Sequence, residues 1–428
     1  MKPGVSCRVK VFVVIAVILS AGLTSVARAE NRRWIVILLE GTNLGVQELF
    51  FKLGGIKVVH ALSFINALAI ELPLGDTLDD LLIFLLGKPV EGVFADPISV
   101  LGPISAISQE EAPQDEGYDW GQARIGTPVV HGDMQNMPDS PEPGAGVTIA
   151  ILDTGVYDNH PDLEQNIIQV HNARPGGGSS DDDNGHGTHV AGIIAASAND
   201  QGVIGVAPQA SLVAVKVLDH NGAGHLSDFI NGLQWVYTNR NDFQIKLVNM
   251  SLGFCADREP MKRAIKSLYD SGVIMVAAAG NRLSQGGGAE EGGGSEGEGA
   301  SACGDTVRYP AGYDDWVIAV AASDEDDKIT DYSLPGPQVD VTAPGGSQAN
   351  ERILSTTPGG DYGWGSGTSQ AAAHVTGSIV LALQRQSGLS FEQVRDLLRS
   401  TAFELACCDE EQQGAGLIDV EEMLHTLE

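Results

Sequence analysis

Ile149-Ala-Ile-Leu-Asp153-Thr-Gly155 is an apolar run that ends in a carboxylate and a glycine. Such runs are typical of a strand that is buried on both faces of a parallel sheet. Functional side chains in these sheets lie at the carboxyl ends of the strands, which is where Asp153 would be. The stretch therefore predicts an α/β domain with a polar site beside Asp153.

Further apolar segments follow this strand and alternate with helical patterns. The alternation predicts a mainly parallel sheet that is flanked by helices on both faces. We expect strands at residues 147–152, 212–217, 247–250, 273–279 and 316–321, and helices at residues 186–198, 227–238, 259–271, 369–385 and 390–400. Residues 285–302 interrupt this pattern with Gly and Glu, and are predicted to form a mobile acidic loop.

The part of the chain before residue 103 has a different organisation. Residues 34 to about 100 predict the order β-α-β-β-α-β, which is that of a small α+β ferredoxin-like domain. Residues 103–117 are rich in Pro, Ser, Glu, Gln and Gly, and are interpreted as a linker. The sequence therefore predicts a small domain that precedes a larger one.

Residues 1–29 have the pattern of a signal peptide. A basic start precedes the apolar residues 11–23, and Ala27-Arg28-Ala29 fits a small-x-small cleavage site. We therefore expect a secreted protein, extracellular or periplasmic, that is not stably inserted in a membrane after the signal is removed. An uncleaved anchor is the alternative.

Charge and cysteine usage restrict the partners and the compartment. Lys and Arg total 25 and Asp and Glu total 56, which gives a net charge of −31 and argues against a nucleic-acid partner. Cys7 lies in the signal, and Cys255–Cys303 is the favoured disulfide among the rest. Cys407 and Cys408 are adjacent and would either form a vicinal disulfide or stay free.

Two further motifs supply the partners that Asp153 would need in nucleophilic catalysis. His186 lies in Asn184-Gly-His-Gly-Thr-His189, at a predicted helix start, and Ser369 lies in Gly365-Ser-Gly-Thr-Ser-Gln370, before an apolar helix. A serine hydroxyl is a weak nucleophile unless a base accepts its proton and a carboxylate orients that base. Asp153, His186 and Ser369 are therefore predicted to form a catalytic triad.

From about Tyr118 to the end, the sequence resembles the subtilisin-like serine peptidases. The resemblance rests on the three triad segments, on Ala-Gly280-Asn281, on Asn-Met-Ser251-Leu-Gly253 and on Gly414-Ala-Gly-Leu-Ile-Asp419. It implies that His186 is the general base and then the general acid, and that Asn281 and the backbone N–H of Ser369 stabilise the oxyanion. Residues 34–96, notably Ile65-Asn66-Ala67, are similar to the inhibitory propeptide of the same family.

The resemblance also implies the domain organisation and the partners. It divides the chain into a signal peptide (1–29), an inhibitory propeptide (30–102), a linker (103–117) and a catalytic domain (118–428). The propeptide would inhibit its own enzyme and be removed by self-cleavage near Gly102. The substrates would be polypeptides, and we expect a monomer.

Substrate and metal sites follow from the same resemblance. An extended substrate would lie between residues Gly222, Ala223 and Gly224 on one side and Ser251, Leu252 and Gly253 on the other, because small residues allow main-chain pairing. Arg308 aligns with the floor of the first specificity pocket, where it would favour acidic or polar side chains if it points inward. A structural Ca²⁺ is expected, with oxygen ligands from Asp162, Ser197, Asn199, Gln201 and Val203.

Some residues depart from the family pattern, and other functions share its motifs. Gln370 stands where many relatives have Met, and Ala373 replaces a common Pro. A peptide ligase or cyclase would use the same triad and oxyanion donors. A non-catalytic binding protein is the other alternative, against which the intact triad argues.

Overall fold

The structure is a computed structural model, and it describes residues 32–73, 76, 78–86, 88–101, 108–110, 116–136, 143–282, 304–347 and 351–428. The predicted signal peptide and the predicted acidic loop lie outside the described residues. No helix in these described ranges is long and apolar enough to cross a membrane.

The N-terminal domain is a four-stranded sheet covered by helices. Its strands have the order β2-β3-β1-β4 and pair antiparallel wherever they touch. Its core contains Trp34, Phe51 and Leu81, which pack the two helices on one face of the sheet. The elements are β1 (Arg33–Leu38), α1 (Leu44–Leu53), β2 (Lys57–Leu62), a 3₁₀ turn (Ser63–Ile65), β3 (Ala67–Glu71), α2 (Leu78–Leu85) and β4 (Val90–Ala95). This confirms the predicted β-α-β-β-α-β order.

The larger domain contains the predicted parallel sheet. Its strands are β7 (Thr148–Asp153), β8 (Ile167–Asn172), β9 (Ser211–Lys216), β11 (Ile245–Met250), β12 (Ile274–Ala278), β13 (Ile318–Ser323) and β14 (Val339–Pro344). Short strands outside this sheet are β5 (Ile98–Val100), β6 (Ser108–Glu110), β10 (Ala223–His225), β15 (Ile353–Thr357) and β16 (Asp361–Gly365). The helices are α3 (Trp120–Arg124), α4 (Thr127–Asn136), α5 (His186–Ala195), α6 (Leu226–Asn239), α7 (Glu259–Asp270), α8 (Thr368–Arg385), α9 (Phe391–Thr401), α10 (Glu410–Gln413) and α11 (Val420–His425).

The strand order explains where the site lies. The order is β14-β13-β12-β11-β7-β9-β8, so β7 is an inner strand between β11 and β9. Chain order reverses at β7, because the chain continues towards β9 on one side and later towards β11 on the other. Ligands bind at such a switch point, beyond the carboxyl ends of the strands. Asp153 is the last residue of β7.

Apolar layers cover both faces of this sheet. Helices α5 and α8 lie on one face, where Val190, Ile194 and Ile379 are among the buried residues. Helices α6 and α7 lie on the other face, and the same apolar cluster includes Ile35 and Leu62 of the N-terminal domain. The small domain therefore docks on α6 and α7 through the sheet face opposite its own helices, and its own core is a separate cluster.

Several elements were not predicted. Strand β8 lies at the edge of the sheet and is half-exposed, so its Ile-Ile-Gln-Val-His-Asn sequence lacks a continuous apolar run. Strand β14 was missed because a charged residue, Asp340, interrupts its apolar sequence. Asp340 is nonetheless buried, and it accepts hydrogen bonds from Arg395 and from the backbone N–H of Ala319. Within the predicted linker, Ser108–Glu110 pairs with β16. The domain boundaries themselves stay a prediction.

Candidate active site

Asp153 and His186 form a buried pair at the end of β7. His186 Nδ1 donates to Asp153 Oδ1 over 2.7 Å, and the backbone N–H of Thr154 donates to the same oxygen over 2.7 Å. Both side chains are about 1% exposed. With its proton on Nδ1, His186 carries a lone pair on Nε2, which has no hydrogen-bond partner among the described residues. Nε2 is therefore able to accept a proton.

Asp182 holds the two segments of this pair together, and it was not predicted. Its Oδ1 accepts from Thr154 Oγ1 over 2.8 Å and from the backbone N–H of Gly185 over 2.8 Å. Its Oδ2 accepts from the backbone N–H and the hydroxyl of Thr188, at the start of α5. An Asp shortly before an apolar helical run is a helix-capping signal, which is the pattern that could have identified it.

Ser369 is the second residue of α8 and lies next to the strand that ends at Met250. Its Oγ donates to the carbonyl oxygen of Ser251 over 3.3 Å, and Ser251 Oγ donates to the carbonyl oxygen of Ser369 over 3.1 Å. Ser369 is only 4% exposed. These bonds fix the start of α8 against the Ser251 segment. A rotation about χ1 of Ser369 would release its hydroxyl from the Ser251 carbonyl.

Asn281 and the backbone of Ser369 face one small space. Asn281 Oδ1 accepts from the backbone N–H of Thr368 over 3.0 Å and from its hydroxyl over 2.9 Å, so the amide Nδ2 faces the other way. A Cβ atom added to Gly367 would lie 3.1 Å from Asn281 Nδ2 and 3.7 Å from the Ser369 nitrogen. Because Gly367 has no side chain, both donors stay accessible to an acceptor atom of the substrate, such as an oxyanion.

The predicted substrate cleft contains a segment of the chain itself. Strand β5 pairs antiparallel with β10, with Ser99 opposite Gly224 and Val100 opposite Ala223. The backbone N–H of Leu101 donates to the carbonyl oxygen of Gly222 over 2.9 Å. A Cβ on Gly222 would lie 2.8 Å from Leu101 Cδ1, so a larger residue there would obstruct this close approach.

The other wall of the cleft is the Ser251–Gly253 segment. Ser99 Oγ donates to the carbonyl oxygen of Gly253 over 2.7 Å, so β5 contacts both predicted walls. Leu252 between them is buried. The residues predicted to bind an extended strand therefore lie on both sides of an extended strand.

Arg308 lies against glycines of the same region. Cβ atoms added to Gly253 and Gly280 would lie 2.6 Å from Arg308 Cβ and 2.5 Å from Arg308 Cγ, respectively, so the side-chain stem packs on both. Its guanidinium Nη1 donates to the carbonyl oxygen of Gly304 over 3.0 Å. Partial burial lowers the pKa of Arg308, which nonetheless stays charged at any working pH.

The predicted calcium ligands come together beside α5. Asp162 accepts from Asn199 Nδ2 over 3.3 Å and from the backbone N–H of Val203 over 3.3 Å, and its own carbonyl accepts from the N–H of Ser197. Gln201 belongs to the same loop, where its N–H donates to Asn199 Oδ1 over 3.1 Å. Burial raises the pKa of Asp162, and a neighbouring cation would lower it again.

The donor atoms around Asp162 fit Ca²⁺. All candidate ligands are carboxylate, amide or carbonyl oxygens, which is the set that Ca²⁺ prefers. Glu116, which was not predicted, adds a second carboxylate, since its Oε1 accepts from the Asn199 N–H over 2.6 Å. Asn199 would have to turn its amide to direct its oxygen at the ion. Among the described residues, no group of three or more His, Cys, Asp or Glu side chains could hold a metal, so an ion here would depend on carbonyl oxygens.

Further features of the domain concern histidines and cysteines. His189 and His374 are buried and hydrogen-bonded within the domain. Cys407 and Cys408 form the vicinal disulfide, with Cα atoms 3.8 Å apart. Cys303 lies outside the described residues, so the Cys255–Cys303 bridge stays a prediction.

Comparison with known proteins identifies the same region of the chain. A family model described as the subtilase family matches residues 144–419. The chain is 36% identical over 376 residues to subtilisin amylosacchariticus of Bacillus subtilis subsp. amylosacchariticus, which covers 86% of this chain and 83% of that protein. It is 40% identical over 278 residues to subtilisin DY of Bacillus licheniformis, covering 65% of this chain and 90% of that protein. It is 35% identical over 340 residues to an alkaline protease of Alkalihalobacillus alcalophilus, covering 78% of each.

Proposed function

Because the chain belongs to the subtilase family and is a serine endopeptidase, we propose that it is exported as a precursor which cleaves itself and then hydrolyses extended polypeptides through an acyl-enzyme on Ser369. Two observations support the proposal: a buried Asp153–His186 pair whose Nε2 has no hydrogen-bond partner among the described residues, and an Asn281 amide that lies beside Gly367 together with the backbone nitrogen of Ser369. Polypeptide substrates follow from the family.

Acylation begins with transfer of a proton. Ser369 leaves the Ser251 carbonyl by rotation about χ1 and gives its hydroxyl proton to His186 Nε2, while its Oγ forms a bond to the scissile carbonyl carbon. Asp153 stabilises the imidazolium that forms, because its carboxylate already accepts from Nδ1. The carbonyl oxygen becomes an oxyanion, which accepts from Asn281 Nδ2 and the Ser369 N–H.

Collapse of this tetrahedral intermediate breaks the C–N bond. His186 Nε2 gives its proton to the leaving nitrogen, and the oxyanion re-forms a carbonyl in the ester of Ser369. Water then replaces the amine. His186 accepts a proton from the water molecule while the water oxygen attacks the ester carbon. Ser369 Oγ then leaves and takes the proton back from His186. The enzyme is thereby restored and the carboxylic acid released.

The position of β5 supports self-processing. Residues 98–101 occupy the cleft on one side of the catalytic centre, and Ser108–Glu110 pairs with β16, the strand that precedes Ser369. The chain is therefore anchored both before residue 102 and after residue 107, which favours a cut between residues 101 and 108. The proposed cut lies near Gly102, the first residue after the anchored segment.

Replacement of Ser369 tests both the enzyme class and the self-processing. We expect Ser369→Ala to accumulate as a precursor that retains residues 30 to about 102, as determined by intact mass in a protease-free host. Ser378→Ala, on the same helix, is the matched control and is expected to mature. Maturation of Ser369→Ala in that host, or failure of a serine-directed phosphonate to label the mature protein, would contradict the proposal.

We propose that Arg308 sets a preference for acidic or polar side chains at the residue whose carbonyl is attacked. The packing of its stem on Gly253, next to the cleft, supports this role. In a peptide-library digest read by mass spectrometry, Glu is expected before the cleaved bond more often than Leu. Arg308→Met, which keeps the length but not the charge, should lower this ratio at least about tenfold; an unchanged ratio contradicts the assignment.

We also propose a structural Ca²⁺ held by Asp162, Glu116, the Asn199 amide and the carbonyls of Ser197, Gln201 and Val203. The ion would neutralise the two carboxylates and fix this loop against α5. It would take no part in the chemical steps, which the residues around Ser369 perform without it.

A further inference from the structure

Gln370 follows the nucleophile directly and is fully buried. Its Nε2 lies 3.3 Å from His189 Nδ1, a contact between the two side chains that faces away from solvent. The two ends of a carboxamide are opposite in character, since the nitrogen only donates and the oxygen only accepts. Which end faces His189 therefore decides what the other end offers to the active site.

The hydrogen bonds of His189 determine which end of the Gln370 carboxamide faces it. Its Nε2 lies 3.0 Å from the carbonyl oxygen of Gly363 and 3.2 Å from that of Ile353, and carbonyls can only accept, so Nε2 carries a hydrogen. Burial lowers the pKa of His189 to about 3, which keeps the ring neutral at any working pH. Nδ1 is consequently an acceptor, and only the Nε2 end of Gln370 can bond to it.

The oxygen of Gln370 lies beside Gly367, two residues before the nucleophile. Gln370 Oε1 is buried and has no hydrogen-bond partner among the described residues. The Cβ position of Gly367, which is 3.1 Å from Asn281 Nδ2, is 3.0 Å from this oxygen. The acceptor therefore lies beside the same glycine as the oxyanion donors, and a buried acceptor without a donor is unfavourable.

Only one group of the reacting substrate can satisfy it. The tetrahedral carbon carries an oxyanion, Ser369 Oγ, the carbon of the acyl residue and the leaving nitrogen. The oxyanion would be repelled by Oε1, and of the four groups only the nitrogen bears hydrogen. We propose that Gln370 Oε1 accepts a hydrogen bond from the N–H of the scissile peptide bond and holds that nitrogen while His186 protonates it.

This inference rests on the proposed function and adds a catalytic residue to it. Gln370 transfers no proton: the C–N bond breaks, the nitrogen takes the proton of His186, and the hydrogen already on the nitrogen stays in its bond to Oε1. Substrates with an N–H in the leaving group should thus depend on Gln370 more than substrates without one.

The test compares an amide with an ester of the same acyl group, because an ester leaving oxygen has no hydrogen to donate. The measured quantity is the ratio of kcat/KM for the peptide anilide to kcat/KM for the ester, since kcat/KM reports acylation alone. In Gln370→Leu the ratio is expected to fall about tenfold relative to the unaltered mature enzyme, the usual effect of one hydrogen bond.

The outcomes separate this inference from the proposed function. An equal loss on both substrates, or no loss on either, overturns the role of Gln370 while leaving the serine-peptidase mechanism intact. Failure of the unaltered enzyme on both substrates would instead overturn the proposed function. If Gln370→Leu does not fold, Gln370→Met gives the same measurement, because a thioether is only a weak acceptor.

Discussion

The orientation of Asn281 is determined by two hydrogen bonds from one neighbour. Both bonds to its Oδ1 come from Thr368, so the amide nitrogen is fixed towards the space beside Ser369. Asn281→Ala should lower kcat by about 10²–10³, the loss found when one such donor is removed from a subtilisin. KM should change little, because the bond forms in the transition state.

Steady-state kinetics on a peptide substrate measure this directly. Asn281→Asp is a second variant of nearly equal shape, in which a negative charge would oppose the oxyanion, and it should be no more active than Asn281→Ala. A loss that falls mainly on KM would mean that Asn281 binds the ground state.

At this scale the sequence predicts residues that lie in contiguous motifs. Asp153, His186 and Ser369 are each flanked by several informative neighbours. Asp182 and Glu116 were missed because their partners, Thr154 and Asn199, are brought to them only by folding. The orientation of Gln370 could not be predicted either, since it depends on carbonyls of a distant hairpin.

Helix α3 begins with a buried carboxyl that makes stability depend on pH. Asp119 accepts from the N–H groups of Gly121 and Leu354, and burial raises its pKa from 3.8 to about 7. The folded state therefore favours the protonated form. This contribution is complete below about pH 4 and is lost as the pH rises through about 7.

Asp119→Asn should remove this dependence while its amide oxygen still accepts from the N–H of Gly121; the bond from Leu354 is lost at every pH. In protein inhibited at Ser369, the melting temperature of the variant relative to that of the parent should rise between about pH 4 and pH 7 and stay level above that. Asp396→Asn, which replaces an exposed carboxyl of α9, is the control and should show no such trend. Parallel curves for Asp119→Asn and its parent would refute the assignment.

The loop after α5 should respond to removal of calcium. If Asp162 and Glu116 share an ion, excess chelator leaves two carboxylates close together without a cation, and the melting temperature should fall by several degrees. Added Ca²⁺, but not Mg²⁺, should restore it. In Asp162→Asn the effect of the chelator should be much smaller; a parent protein whose melting temperature ignores the chelator contradicts the site.

The elements that sequence predicts best are those with one simple pattern. Strand β7 and helix α7 were found because their burial is continuous or follows one helical face. Strands β15 and β16 were missed because they form a hairpin rich in Gly and Thr, whose pairing to β6 comes from another part of the chain. Tertiary pairing of this kind leaves no local signal.

The two domains are connected by buried charges as well as by apolar surface. Arg33 Nε lies 3.1 Å from Asp96 Oδ2, and Arg33 Nη2 lies 2.8 Å from Asp228 Oδ1 in the first turn of α6. Asp96 also accepts from the backbone N–H of Ser227 over 2.7 Å, and His60 lies 2.8 Å from Asp228. Removing one partner of a buried ion pair costs about 3–5 kcal/mol, because the other charge is left uncompensated.

Arg33→Ala should therefore release the N-terminal domain sooner after self-cleavage. The delay between cleavage, followed by gel, and the appearance of peptidase activity should shorten by at least about tenfold. Arg32→Ala is the matched control, since Arg32 is more exposed and pairs with Glu71 of its own domain. Equal delays in the two variants would show that the ion pairs do not hold the domain in place.

If the chain cleaves itself as proposed, the strand in the cleft passes from an intramolecular to an intermolecular binding equilibrium. While β5 is tethered, it faces β10 at an effective concentration in the millimolar range, whatever the amount of protein in solution. After the cut, the released domain is a separate solute, and its return to the cleft becomes a second-order event. Dilution alone then favours the open cleft, so the cleaved protein would be inhibited at high concentration and active when dilute.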